Sequence, residues 1–215
     1  AGHPVEEIDG LYLDAIEATI TRDLATANKV YDEIAKLKPR DAGAYLDVAR
    51  AFERYDALDS AIEQYLKAVS LDGSNPAPLL RLGALYARRQ NLSKSTASLD
   101  KAESLYKESQ NFEGLAEVSY QRGYVLSQIR PREAFGAAQQ SLEVAQISQN
   151  TYQQVRAILL LSAIAQSLGD TTQAQQRASQ ALELARANSM ENLATQGLLD
   201  LGYALMLKPT YELAE

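Results

Sequence analysis

The side chains that most often carry enzymatic chemistry are scarce in this chain. It holds one histidine, His3, and no cysteine, so a thiolate zinc site, a cysteine nucleophile or a histidine metal cluster has no donors. Nowhere do its 215 residues spell Gly-x-Ser-x-Gly, Gly-x-x-x-x-Gly-Lys-Ser/Thr, His-Glu-x-x-His or Gly-x-Gly-x-x-Gly, the spacings that expose a serine, cradle a phosphate, bind zinc or approach a dinucleotide. Carboxylates are plentiful, but neighbours such as Glu6 and Glu7 read as a solvated helix face. Asn91-Leu92-Ser93 satisfies a glycosylation sequon, and the same residues serve as a polar turn between helices. No catalytic residue, metal or cofactor is expected. What the sequence does supply is arginine, whose planar fork holds a carboxylate through two charge-assisted bonds, and 12 tyrosines, which give contact area at low entropic cost. That chemistry is recognition.

Charge narrows what could be recognised. With 28 acidic and 21 basic side chains the net charge is −7, which repels nucleic acid phosphates and anionic membranes. No apolar run approaches the length of a membrane-spanning helix, and Ala-Gly-His-Pro-Val-Glu-Glu lacks the basic and apolar regions of a signal peptide. A soluble chain is expected, the cytoplasm being favoured over the periplasm, with no nucleic acid partner and no membrane insertion. A hydrophobic content of 46% suffices for a core and excludes disorder. The start at Ala1 and the stop at Glu215 inside an unfinished unit point to a piece of a longer protein. Its wealth of Ala and Gln points to a bacterial one.

The elements that must hold these side chains are repeats. Tyr45, Phe52, Tyr65, Ala68 and Leu71 recur 34 residues later as Leu79, Tyr86, Leu99, Ala102 and Leu105, and 34 residues before Tyr65, Ala68 and Leu71 stand Tyr31, Ile34 and Leu37. Further along the period lengthens to 39: Ser109-Gln110-Asn111 returns as Ser148-Gln149-Asn150, and Asn150 maps to Ser189. Gly123, Ser162 and Gly202 then occupy equivalent places, followed by turns at Pro131, Gly169 and Pro209. Within a unit, apolar residues fall at three- and four-residue spacing, as at Ile158, Leu161 and Ala165, so each unit is two helices. Breakers at Tyr55-Asp56, Gln90-Asn91, Arg130-Pro131 and Gly169-Asp170 separate the helices of a pair. A tail over 1–7 is followed by one domain over 8–215, with units at about 8–41, 42–75, 76–111, 112–150, 151–189 and 190–215.

Tyr45, Val48, Ala49, Phe52, Ala61, Tyr65 and Ala68, with Leu79, Leu82, Gly83, Tyr86, Leu99 and Ala102 in the next unit, resemble the tetratricopeptide repeat. Ser95 stands where that family usually has Ala, Arg122 where the fourth unit should have a core Leu, and the fourth unit's turn is one residue short. The resemblance implies an all-α, right-handed superhelical solenoid of antiparallel helix pairs, in which small residues let helices approach and one helix of each pair lines a concave groove.

Carried onto this sequence, the family's groove face holds Leu46, Asp47, Arg50, Glu53 and Arg54 in the second unit and Leu80, Arg81 and Arg88 in the third. Arg50, Arg54, Arg81 and Arg88 against two carboxylates make a positive strip in an acidic chain. They either meet an acidic or carboxylate-bearing segment of another protein or pair with Asp47, Glu53 and neighbouring acids. The fourth unit offers Glu117, Tyr120, Gln121 and Tyr124, the fifth Arg156, Leu159, Leu160 and Gln166, and the first an apolar Tyr12, Leu13, Ile16 and Ile20. The Lys and Asn by which chaperone-type members of the family hold a terminal carboxylate are replaced here by Tyr12 and Ile16, then Leu46 and Arg50, which disfavours that ligand. Arg50, Arg54, Arg81, Arg88, Tyr120 and Tyr124 are therefore the expected peptide-binding residues. The function expected is a protein–protein interaction scaffold without catalysis. The alternative is the sensor or scaffold region of a larger enzyme or regulator, a kinase or transcription regulator, whose active domain lies elsewhere. Tyr203, Leu205, Met206 and Leu207, with a partner helix that begins at Tyr211 and stops at Glu215, predict either self-association through the carboxy-terminal end or higher stability when downstream residues are restored.

Overall fold

Each run of apolar residues at helical spacing becomes a helix in the computed structural model, which describes residues 4–206. The first three pairs are α1 (Pro4–Ile20) and α2 (Leu24–Leu37), α3 (Ala42–Arg54) and α4 (Leu58–Leu71), and α5 (Pro76–Arg88) and α6 (Leu92–Glu108). The longer pairs are α7 (Phe112–Ser127) and α8 (Pro131–Ile147), then α9 (Thr151–Ser167) and α10 (Thr171–Ala187), followed by α11 (Glu191–Met206). No strand occurs among the described residues. His3, Leu207, Pro209, Tyr211 and Glu215 lie outside them, as do the side chains of Glu6 and Glu7.

The boundaries have local causes. Asp23, Asp41, Asn75, Asn111, Asn150 and Asp170 each accept an N–H of the first turn that follows, satisfying donors that have no partner within the helix. Just before four of these caps sits a residue with positive φ, namely Arg22, Gln110, Gln149 and Gly169. There the cap N–H reaches back to a carbonyl of the finished helix, as from Asn111 to Tyr106 at 2.9 Å and from Asn150 to Ala145 at 3.1 Å. One helix is closed and the next opened within three residues. Pro76 and Pro131 stand at first helical positions, where their missing N–H costs nothing. Pro4 likewise starts α1, ahead of the boundary read at residue 8. The turn of the fourth pair is one residue tighter, as read from sequence: the Arg130 N–H reaches back four residues to Leu126 at 2.7 Å with no positive-φ residue between, where the Asp170 N–H reaches back five to Ala165 at 3.0 Å across Gly169.

The chain, read above as one domain over 8–215, divides between Leu105 and Tyr106 into two compact units. In the first, Ile34, Val48, Ala49, Ala61, Tyr65 and Leu82 are buried in one core. In the second, Leu142, Val155, Ile158, Leu161, Ile164 and Ala181 make another. Small residues set the spacing in both. A Cβ on Gly83 would fall 2.6 Å from the Leu99 side chain, and one on Gly197 3.2 Å from the Leu182 backbone. Three buried serines use the same closeness to donate across a helix pair, Ser95 to Gly83 O at 2.7 Å, Ser141 to Ala116 O at 2.8 Å and Ser162 to Ala174 O at 3.0 Å. Ser95 thus fills an alanine's place and satisfies its hydroxyl.

Candidate functional site

Capping of α3 by Asp41 fixes its phase, and three- and four-residue spacing then puts Asp47, Arg50, Glu53 and Arg54 on adjoining turns. From the next pair, Arg81 of α5 reaches back to Glu53. Its Nε donates to Oε2 at 3.1 Å, and a second guanidinium nitrogen donates to Oε1. The Tyr65 hydroxyl, from α4, donates to the same Oε2 at 2.8 Å. Three helices are joined at one carboxylate. Burial, then the hydrogen bond and charge of Glu53, push the Tyr65 hydroxyl well above the usual tyrosine range. For Arg81, burial opposes the charge, and the bonds and charge of Glu53 outweigh it, so its pKa is raised.

Arg50, Glu53, Arg54 and Arg81 line a concavity of about 520 Å³. Their commitments differ. Arg81 is held by Glu53, and Arg50 reaches Asp47 at 3.3 Å across water-exposed side chains. Arg88 lies outside the concavity and is turned to Asp56, while Arg89 pairs with Asp59. Arg54 has no ion-pair partner among the described residues. The four arginines of the predicted strip are therefore one structural, two paired at the surface and one unengaged.

In the second unit, Arg156 of α9 donates to Glu117 of α7 through Nη1 at 2.6 Å and Nη2 at 3.3 Å, with side chains only 22% and 18% exposed. The guanidinium lies 4.0 Å from the Tyr120 ring centroid and 5.7 Å from that of Tyr152. Gln121 adds a bond to Glu117 at 2.9 Å. Burial raises the Tyr120 hydroxyl, partly offset by Arg156. Tyr124 is half exposed, and Leu159 and Leu160, assigned by sequence to the groove face, are buried. Tyr120 and Tyr124 therefore play unlike parts, one beneath a guanidinium and one open to solvent.

Asp200 of α11 escaped the sequence reading. It is 8% exposed, its Oδ1 accepts from Gln196 Nε2 at 2.7 Å, and no cation reaches it among the described residues. Burial raises its pKa, with the Gln196 bond opposing. A carboxyl so raised contributes stability while protonated, below the usual carboxylate range, and loses that contribution as pH climbs through the raised value. Asp200→Asn is thus expected to raise the unfolding midpoint at neutral pH and to leave it unchanged in acid. A melting series against pH that shows no such convergence contradicts this.

Pairing of the arginines with Asp47 and Glu53 was one of the two sequence expectations, and Arg81 and Arg50 follow it, whereas the Glu117–Arg156 pair was unforeseen. A signal was present, because Arg81 and Arg156 are each the sixth residue of their helices. Among the described residues, no group of three or more His, Asp and Glu could hold a metal ion. None of their helices is long and apolar enough to cross a membrane.

No family model and no curated protein sequence matches the chain. Solved structures do. TTC0263, a thermophilic TPR protein of Thermus thermophilus, is 17% identical with a TM-score of 0.66, the match covering 90% of this chain and 98% of that one. PilW, a widely conserved type IV pilus biogenesis factor, is 17% identical with a TM-score of 0.65, covering 100% and 97%. A Signal Transduction ATPase with Numerous Domains from Pyrococcus horikoshii, which has a tetratricopeptide repeat sensor, is 15% identical with a TM-score of 0.72, covering 95% of this chain and 32% of that one. Paired helices, the small residues between them and these likenesses together make the chain an all-α helical-repeat protein with the tetratricopeptide fold.

Proposed function

We propose that the chain is a protein–protein interaction scaffold that performs no chemistry, and that the concavity on α3 and α5 receives a carboxylate-bearing segment of the partner. The observation that carries this reading is three guanidiniums around one carboxylate in a concavity of a chain whose net charge is −7, with Arg54 unengaged. Arg54 and Arg50 meet the ligand, and Arg81 holds the wall. Arg88 adds charge at the margin. In the second unit, Tyr124, with Tyr120 behind it, offers aromatic contact area for a peptide on that unit's own surface.

Surface ion pairs contribute about 0–1 kcal/mol each, so the arginines act on orientation and association rate more than on total affinity. The test is capture and identification of the partner, followed by stopped-flow association at low and physiological salt. Arg50→Glu with Arg54→Glu is expected to slow association about tenfold at low salt and to abolish its salt dependence, with helicity unchanged. Association as fast as that of the parent makes the strip a solvated face and overturns the assignment.

One observation favours a second reading. The likeness to 32% of an ATPase that has a tetratricopeptide repeat sensor supports a sensor region whose bound partner regulates a further domain.

A further inference from the structure

Arg50 and Arg54 lie one turn apart on α3, and both side chains line the same concavity. Side chains at that interval are neighbours, about 6 Å apart, so the two like charges repel each other. Neither is firmly engaged. Arg54 has no ion-pair partner among the described residues, and the Arg50–Asp47 contact joins side chains that are 51% and 47% exposed, so it holds little.

Carboxylates flank the two arginines. Asp47 and Glu53 stand three residues before and after Arg50, which at the helical pitch sets them about 60° to either side of it around α3. Arg54 falls between them. Glu53 lies on the side of α5, whose Arg81 holds it. Asp47 lies on the side of α1, where its charge adds to burial in raising the Tyr12 hydroxyl. An anionic segment that crosses α3 from α1 towards α5 therefore meets a carboxylate on entry and another on exit. One that runs along α3 meets two guanidiniums in succession and stays between the acids.

The interval between the arginines then specifies the ligand. In an extended chain, neighbouring side chains point to opposite faces, and residues i and i+2 share a face about 6.6 Å apart, close to the spacing of Arg50 and Arg54. Adjacent acids cannot reach both. Acids at i and i+4 of a helix have a suitable spacing, but a helix spends its N–H groups within itself. An extended backbone keeps free N–H donors, and Asp47, half exposed beside the strip, can accept one. Resting on the reading of this concavity as a carboxylate site, we propose that it selects an extended segment of the partner with acids at alternate positions, Asp/Glu-x-Asp/Glu, laid along α3 so that one carboxylate meets Arg50 and the other Arg54.

The test uses fluorescein-labelled peptides of identical composition that carry two Glu at i and i+1, at i and i+2, or at i and i+4, the last closed into a helix by a side-chain staple, and a control with Gln in place of both. Anisotropy at low salt reads their binding to the parent, to Arg50→Gln and to Arg54→Gln, substitutions at exposed positions whose folding is checked by circular dichroism. The alternate-position peptide should bind the parent about fivefold more tightly than the adjacent one, the size of one surface ion pair, and either substitution should erase that difference. Equal binding of the three acidic peptides, stronger than that of the Gln control and weakened by the substitutions, overturns the spacing and leaves the carboxylate site standing. Tightest binding of the helical peptide overturns the extended form. A preference that survives both substitutions overturns the assignment to Arg50 and Arg54, and acidic peptides that bind no better than the Gln control overturn the site and the proposal together.

Discussion

Replacing Glu117 with alanine is expected to destabilise the second unit by about 2–3 kcal/mol. The carboxylate takes two bonds from Arg156 and one from Gln121, and without it a mostly buried guanidinium keeps the Tyr120 ring but no countercharge. Removing one partner of a fully buried pair costs about 3–5 kcal/mol, and the smaller figure reflects the fifth or so of each side chain that water still reaches. The double variant Glu117→Leu with Arg156→Met should recover most of the loss, because no charge is then left stranded. Glu133→Ala, which breaks the open Arg130–Glu133 pair, should cost about 0–1 kcal/mol and serves as the control. Urea unfolding followed by circular dichroism measures all three. A Glu117→Ala midpoint as close to the parent as that of Glu133→Ala would show that the pair sits in effectively free solvent.

Ala181→Leu should destabilise by ~1–3 kcal/mol, and Ala68→Leu by a similar amount, because each side chain is almost wholly enclosed between helices that are close only where residues are small. In the second unit, Ala181 is buried in one core with Val155, Ile158 and Leu182. Extra methylenes there must push a helix outward or force neighbours off their rotamers. Gln180→Leu, one residue away on the exposed side of α10, adds the same leucine without a neighbour to displace and should change stability by about 0.5 kcal/mol or less. The difference between adjacent positions, measured by thermal melting, tests the phase of α10 itself. Equal losses at residues 180 and 181 would place the helix in the wrong rotation.

The repeat architecture was legible because it is written in local patterns. The 34- and 39-residue recurrences, the apolar spacing and the turn residues each depend on neighbours in the chain. Starts read at residues 42, 76, 112 and 151 coincide with those of α3, α5, α7 and α9. The small residues could be read for the same reason, since Ala61, Ala68, Ala174 and Ala181 recur at the helix period, and all four are buried.

Which charges are free was not legible. Arg50, Arg54, Arg81 and Arg88 are alike as sequence, and residue type with helical phase assigns all four to one face. Whether a guanidinium is available depends on what stands within about 3 Å of it, and for Arg81 that is a carboxylate 28 positions back, held in turn by a tyrosine from a third helix. The same holds for Asp200, a residue type almost always solvated, which is buried because Gly197 and Ala204 draw α11 tightly against its neighbours. Helix period and turn chemistry are properties of the chain alone. Burial and pairing belong to the space between helices, and only the tertiary structure separates Arg81, which builds the wall, from Arg54, which is left exposed.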